Sequence, residues 1–178
     1  MSPATPPSTG APTGGPTAGP TPTSDPPPTR PGLPPNPYNP LAWIIGEPSI
    51  GEGTWIGAFT VIDGSGGLQI GSGCDIGAGC QIYTHSSARR CVSGRRYGEV
   101  DRKPVTMGDR VFMGPGAMVF MGVEVGDEAV ICAGAMVTRS VPPRTIVAGV
   151  PARPIGIVQF DDPASPRFVL TDPPTGQI

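Results

Sequence analysis

The sequence predicts an all-β fold, a parallel β-helix with three faces per coil, and three features of a six-residue repeat support this class. The repeat extends from Ile50 to Val141. Its first positions are all aliphatic, its fifth positions are all small, and many of its second positions are glycine. The twelve first positions are Ile50, Ile56, Ile62, Ile70, Ile76, Ile82, Met107, Met113, Val119, Val125, Ile131 and Val137.

A period of six excludes the simpler secondary structures. In an amphipathic helix, a step of about 100° per residue would spread the aliphatic positions over three faces. In a straight strand the first, third and fifth positions would share a face, yet third positions include Glu52, Asp109 and Arg139. A chain that turns once per repeat resolves both conflicts, and second-position glycines such as Gly71 supply the freedom for the turn. Three repeats close one coil, so twelve repeats predict four coils.

The composition of the N-terminal segment, residues 1–36, predicts a disordered arm. It contains 13 of the 26 prolines and seven threonines, and no aromatic residue. Such a composition cannot bury enough apolar surface to offset the entropy of ordering. It lacks the apolar stretch of a signal peptide, and nothing in the chain is long and apolar enough for a membrane span. We therefore expect a cytoplasmic protein with a β-helix domain at 37–156 and a C-terminal tail at 157–178.

Composition excludes several function classes. The net charge of -2 gives no electrostatic reason to expect nucleic acid or a membrane surface as a partner. The four cysteines form no CxxC motif and no cluster with histidine, so we expect no metal site. A γ-type carbonic anhydrase on such a fold needs three histidines per zinc site, which a chain with one histidine cannot supply.

Two interruptions break the repeat. Between Ile62 and Ile70 the spacing is eight, and between Ile82 and Met107 it is 25, so 19 extra residues leave the coil. Long loops in a compact repeat are usually functional or disordered. The second loop, 86–104, follows directly after His85, the only histidine of the chain. A lone histidine can be a satisfied core or surface residue, but this position favours a role in chemistry.

The loop contains six of the 12 basic residues. Its arginines are either a solvated surface or ligands of phosphate, on coenzyme A or on a nucleotide-linked sugar, because guanidinium binds phosphate through two parallel hydrogen bonds.

The repeats resemble the hexapeptide-repeat acyltransferases, which fold as left-handed parallel β-helices. The likeness covers roughly 45–156, and it alone supplies the hand. The stretches 62–68 (Ile-Asp-Gly-Ser-Gly-Gly-Leu) and 81–85 (Gln-Ile-Tyr-Thr-His) are similar to those of sugar and polysaccharide O-acetyltransferases. Those enzymes usually have Asp after the Thr-His pair, where this chain has Ser86.

The likeness implies a catalytic role for His85, which would withdraw the proton of an acceptor hydroxyl during attack on a thioester. Backbone N–H groups of the coil could then stabilise the oxyanion. We expect Asp63, Tyr83 and Arg95 to contact the acceptor, a sugar or a glycosylated small molecule. The acyl group would pass directly from acetyl-CoA, without a covalent cysteine intermediate.

The segment 125–155 is similar to the last coils of the maltose, galactoside and xenobiotic acetyltransferases, where this region forms the pantetheine groove. The resemblance implies cofactor contacts for seven residues: Gly114, Pro115, Ala133, Gly134, Thr138, Arg139 and Arg153. The small residues among them could equally have only a structural role, as residues that fit the corners of the coil. Cys132 stands where the family usually has glycine.

The resemblance also implies a homotrimer with its active site between adjacent subunits. The resulting hypothesis is an acetyl-CoA-dependent O-acetyltransferase with no metal. One alternative is a non-catalytic β-helix scaffold, whose proline-rich ends would bind partners. Another is a serine-type O-acetyltransferase, which we rank lower because those enzymes carry a helical domain before the coil. The sequence does not specify the acceptor or the length of the acyl group.

Overall fold

The structure, a computed structural model, describes residues 36–171. The arm expected at 1–36 lies outside the described residues except for Asn36, as does the end of the tail after Thr171. The described chain winds through three sheets, which we call A, B and C in the order in which each coil visits them. Their strands are parallel except for a hairpin at the end of sheet C.

The strands are short, most of them two or three residues long. Sheet A contains β1 (Trp43–Ile45), β4 (Val61–Asp63), β7 (Gln81–Ile82), β12 (Met118–Val119) and β15 (Met136–Val137). Sheet B contains β2 (Ser49–Ile50), β5 (Leu68–Ile70), β10 (Val105–Met107) and β13 (Glu124–Val125). Sheet C contains β3 (Trp55–Ile56), β6 (Asp75–Ile76), β11 (Phe112–Met113), β14 (Val130–Ile131), β16 (Thr145–Ala148), β17 (Arg153–Phe160) and β18 (Pro166–Leu170). Between β7 and β10 the chain forms β8 (His85–Ser86), α1 (Ala88–Val92) and β9 (Asp101–Arg102).

The aliphatic first positions stack inside the coil. Ile70 and Val125 from sheet B join Ile76 and Ile131 from sheet C in one buried cluster. Small fifth positions such as Ala117 fill the corners and are fully buried. The predicted parallel β-helix is therefore confirmed, and burial of this interior is what holds the short strands together.

The predicted number of coils is wrong, because the coil has five turns rather than four. An additional strand, β1, precedes the repeat and pairs with β4. At the other end Val141 bridges to Val125, and β16 pairs with β14. The six-residue pattern did not include β1, because the repeat that begins at Ile44 has Pro48 in its fifth position, and proline is not small.

Three corners separate the sheets, and we name each by the sheets that it joins: AB, BC and CA. At the BC corner successive glycines lie against backbone. A Cβ built on Gly71 would lie 2.4 Å from the carbonyl oxygen of Gly108. No side chain fits in this space, so the repeat requires glycine here.

A hairpin ends the described chain. Strand β17 pairs antiparallel with β16, and β18 pairs antiparallel with β17. The expected boundary between domain and tail at 156/157 thus falls inside a strand. Part of the predicted tail belongs to sheet C, because Val158 packs with Val130 and Ile146 in a second small cluster.

Candidate functional site

Both interruptions of the repeat lie at the AB corner. The first separates β4 from β5 and the second separates β7 from β10, in neighbouring coils. The BC and CA corners keep the spacing of six residues throughout the twelve repeats. Because parallel strands stack in register, the two interruptions lie one above the other.

Asp63 joins the two interruptions from the inside. Its side chain is fully buried at the end of β4. The backbone N–H of Thr84 donates to Asp63 Oδ2 at 2.9 Å, and the Thr84 hydroxyl donates to the same oxygen at 2.9 Å. The backbone N–H of Ser65 donates to the other carboxylate oxygen at 3.0 Å. Gly66 in turn donates its N–H to the Thr84 hydroxyl at 2.8 Å.

These contacts keep Asp63 ionised. Burial by itself raises the pKa of the Asp63 carboxyl, but the hydrogen bonds from Ser65, Thr84 and His85 outweigh burial and hold this pKa well below its usual range. A buried carboxylate with so many donors is a fixed acceptor of hydrogen bonds. It cannot also reach a ligand in solvent.

His85 completes this cluster at the surface. Its Nδ1 atom lies 2.6 Å from Asp63 Oδ2, and 36% of its side chain is exposed whereas none of the Asp63 side chain is. An ionised carboxylate only accepts hydrogen bonds, so Nδ1 carries the proton. In the neutral imidazole the Nε2 atom is then left with a free lone pair. This arrangement is suited to a general base.

The buried position contradicts the expected acceptor contact of Asp63, because its carboxylate is bound to Thr84 and His85 instead. Sequence reasoning singled out Asp63 because it opens the first interruption. Its burial depends on how the two interruptions stack, and spacing alone does not reveal that.

Two aromatic rings lie beside His85 along the AB corner. The Tyr83 ring stands edge-on to the His85 ring, with centroids 6.4 Å apart. Phe120, from the next coil, lies 6.5 Å from the Tyr83 ring. The Tyr83 hydroxyl donates to Gln81 Oε1 at 2.7 Å. The part of Tyr83 that lies against His85 is therefore its ring and not its hydroxyl. Sequence reasoning missed Phe120, although a phenylalanine in a second position normally given to glycine was a visible signal.

The second interruption folds as a closed excursion over this corner. Strand β8 pairs antiparallel with β9, His85 opposite Arg102. The backbone N–H of Lys103 donates to the Thr84 carbonyl at 3.0 Å, which returns the chain to the coil. Arg95 lies in the exposed part of the excursion after α1.

Three of the residues expected to contact the cofactor line one apolar cavity at the CA corner. Gly114, Pro115 and Ala133 border a space of about 560 Å³, together with Cys132 and two phenylalanines, Phe112 and Phe168. Gly134 lies at the same corner in the left-handed region, with φ of 67°. Burial raises the pKa of the Cys132 thiol, which keeps it protonated and apolar.

The remaining three lie elsewhere. Arg139 and Arg153 line a smaller cleft of about 180 Å³ at the last coil. Thr138 precedes Arg139 at the AB corner, where its side chain is exposed. A single chain thus divides the expected cofactor residues between two corners on opposite sides of sheet A.

Among residues 36–171, no group of three or more His, Cys, Asp or Glu is placed to hold a metal ion. The helices of this part of the chain include none with the length and hydropathy to cross a membrane.

Comparison with known proteins identifies the repeat. A family model described as the hexapeptide repeat of succinyl-transferase matches residues 49–84 and 104–139. The galactoside O-acetyltransferase of Escherichia coli is 43% identical over 61 residues, which cover 34% of this chain and 30% of that enzyme. The repeats of this chain are those of the hexapeptide-repeat acetyltransferase family.

Two further members of the hexapeptide-repeat family show how far the likeness extends. The serine acetyltransferase of Mycobacterium tuberculosis is 35% identical over 115 residues, 64% of this chain and 47% of that enzyme. A hexapeptide-repeat acetyltransferase of Vibrio cholerae, solved with acetyl coenzyme A, is 32% identical with a TM-score of 0.53 over 66% of this chain and 60% of the other. The chain thus spans less than half the length of the galactoside O-acetyltransferase of Escherichia coli and of the serine acetyltransferase.

Proposed function

We propose that this protein is an acetyl-CoA-dependent acetyltransferase that acylates a hydroxyl group of a sugar or a glycosylated small molecule, with His85 as general base. The observation that carries the proposal is the 2.6 Å contact between His85 Nδ1 and the buried Asp63 carboxylate. Such a contact fixes one tautomer and one ring orientation, which are the two requirements of a positioned base.

The residues divide the work as follows. Asp63 holds the Nδ1 proton, and the free Nε2 lone pair of His85 faces the exposed side of the ring. Nε2 takes the proton of the acceptor hydroxyl as the new C–O bond forms. The imidazolium, stabilised by Asp63, then returns this proton to the departing thiolate as the C–S bond breaks. Acetyl-CoA, when bound, supplies the activated acyl carbonyl.

The CA corner suits the pantetheine part of that substrate. Its cavity is bordered by small and apolar residues, Gly114, Pro115 and Ala133 among them. A Cβ built on Gly116 or Gly134 would touch nothing within 4 Å, so this surface is open. Arg139 and Arg153, at the last coil, are placed to meet phosphate groups.

We further propose that the active site forms between subunits of a homotrimer. The cavity of the CA corner and His85 of the AB corner are separated by sheet A in one chain. A neighbouring chain that presents its CA corner to His85 would bring the two together. Sedimentation equilibrium should show a trimer at micromolar concentration, and a monomer would contradict this arrangement.

The test of the catalytic proposal is His85→Ala. We expect turnover to fall about 10² to 10⁴-fold, the usual worth of a positioned base. Binding of acetyl-CoA, measured by calorimetry, should change little. Ser86→Ala, at the next residue of β8, is the matched control and should retain activity. Unchanged turnover in His85→Ala would remove the catalytic role, and failure of the wild type to bind acetyl-CoA would favour a scaffold.

A serine acceptor is the second candidate. It is favoured by the extent of the match to the serine acetyltransferase of Mycobacterium tuberculosis, which covers 64% of this chain. Thiol release from acetyl-CoA should be measured with L-serine beside a panel of sugars, nucleotide sugars and glycosylated antibiotics. Faster release with serine than with every sugar would select this alternative.

A further inference from the structure

The excursion after His85 contains a cavity that the proposed chemistry does not use. It has a volume of about 400 Å³ and is lined by Ser87, Arg90, Cys91, Gly94 and Arg95. Ser87 follows β8, whose first residue is His85, so the cavity begins two residues from the general base.

The excursion is held in place by another arginine. Arg89 Nε donates to Asp101 Oδ2 at 2.8 Å, and the Arg89 guanidinium stacks over the Tyr97 ring with 4.4 Å from Cζ to the centroid. The Tyr97 backbone N–H donates to Ser93 Oγ at 3.0 Å. Arg89 and Asp101 therefore satisfy each other and brace the walls of the cavity.

Arg90 and Arg95 have no such partner. The ion pairs found in residues 36–171 include neither side chain. The backbone N–H of Arg95 donates to the Arg90 carbonyl at 2.9 Å, which brings the two residues together. Arg95 also adopts φ of 65°, a conformation uncommon for a residue with a long side chain.

The surrounding charge is strongly positive. Residues 86–103 contain six basic side chains and two acidic ones, and Asp101 is already paired. Arg90 and Arg95, which are in none of the ion pairs of the described residues, line one cavity, and guanidinium binds phosphate oxygens through parallel hydrogen bonds.

We infer that this cavity binds a phosphate or pyrophosphate group of the acceptor, so that the substrate is an anionic sugar such as a sugar phosphate or a nucleotide-linked sugar. This inference rests on the proposed function and narrows its substrate class. Ser87, which lines the cavity, is two residues after His85, so we place the anionic group on the same side of the coil as the reacting hydroxyl. The phosphates of coenzyme A are the other source of the same chemistry, but Arg139 and Arg153 line a separate cleft suited to them.

Binding is tested by calorimetry on the full chain with inorganic pyrophosphate and UDP-glucose. Arg95→Gln should weaken both at least about 10-fold, because hydrogen bonds to charged groups are strong and specific. Arg96→Gln removes the same charge from the adjacent residue, which does not line the cavity, and should weaken binding less than about 3-fold. Arg90→Gln gives a second variant should Arg95→Gln fold poorly. Equal weakening by Arg95→Gln and Arg96→Gln, or no binding to the wild type, would overturn the inference.

Kinetics then separate the acceptor from coenzyme A. With UDP-glucose or glucose 1-phosphate as acceptor, Arg90→Gln and Arg95→Gln should raise the acceptor KM about 10-fold or more and leave the KM of acetyl-CoA unchanged. A rise in the KM of acetyl-CoA alone would assign the cavity to coenzyme A and overturn the acceptor assignment. Acetyl transfer by the wild type to glucose at the same rate as to glucose 1-phosphate would also overturn the acceptor assignment.

The two proposals can fail separately. Pyrophosphate binding that depends on Arg95, without acetyl transfer to any acceptor, would refute the proposed function and leave the anion site standing. Transfer that depends on His85, with pyrophosphate binding indifferent to Arg90 and Arg95, would refute only the anion site.

Discussion

The BC and AB corners of this coil are made from the same repeat and differ in where they keep their polar groups. At the BC corner the spacing is always six, glycines pack against backbone, and the charged residues form a ladder on the surface. Glu128 accepts from Arg110 at 2.9 Å and from Arg144 at 2.5 Å, and all three side chains reach solvent. At the AB corner the spacing is broken twice, and a charged carboxylate, Asp63, is fully buried.

The difference teaches that the regular corner leaves its charged groups in solvent, whereas the broken corner encloses one and thereby fixes the groups around it. A surface ladder of ion pairs is screened by solvent and contributes little to stability. A buried carboxylate persists only if every oxygen is satisfied, which fixes the groups that satisfy it. Extra residues are what allow Thr84 and Ser65 to turn toward Asp63.

The largest effect is expected from a substitution at the AB corner, on turnover. Asp63→Asn should lower turnover about 10²-fold, because the amide no longer enforces the Nδ1–H tautomer of His85. Steady-state kinetics should show the loss in kcat with little change in either KM. Asp75→Asn makes the same change at an exposed position of sheet C and should be active. An Asp63→Asn variant that raises only the acceptor KM would restore the direct acceptor contact expected from the sequence.

A smaller effect is expected at the BC corner. Gly71→Ala should destabilise the fold by about 2 kcal/mol, because the new Cβ must displace backbone. Gly116→Ala is the comparison, since its φ is 71° but a Cβ there meets nothing within 4 Å. It should cost about 1 kcal/mol, from backbone conformation alone. Urea unfolding measures both, and equal losses would show that close approach is not what selects glycine.

The smallest effect appears on acidification. The pKa of Asp63 is lowered in the folded state, so the folded protein binds fewer protons than the unfolded chain. Its contribution to stability is therefore present above about pH 4, the ordinary range for aspartate, and is lost as the pH falls below it. The unfolding midpoints of the wild type and Asp63→Asn should approach each other progressively as the pH falls below about 4, toward the strongly lowered pKa of folded Asp63. A gap that stays constant would mean that the carboxylate gains nothing from its partners.

The sequence was sufficient for the parts that repeat. Aliphatic and small positions at a period of six predict the coil, because each position meets its own equivalent in the next turn. The two breaks in this period located Asp63 and His85. Both predictions depend on local spacing, which a sequence displays directly.

Contacts between residues of neighbouring coils could not be predicted from the spacing in the same way. The contact of Asp63 with His85 joins strands whose offset is set by the two extra residues of the first interruption. Strand β1 was missed because Pro48 is not small, and the last AB corner shortens so that Val141 bridges to Val125. The division of the expected cofactor residues between two corners also appears only once the strands are assigned to sheets.

The hairpin of β17 and β18 has a consequence for the length of the solenoid. A coil of parallel strands is in principle a template on which further turns, from the same or another molecule, could grow into a fibre. Strand β17 reverses direction against β16, so no parallel turn can be added to that edge of sheet C. The outermost strand then begins with Pro166 and Arg167, which discourage pairing between edges. The reversal therefore acts as a stop for polymerisation, and insertions that lengthen the coil must enter ahead of it.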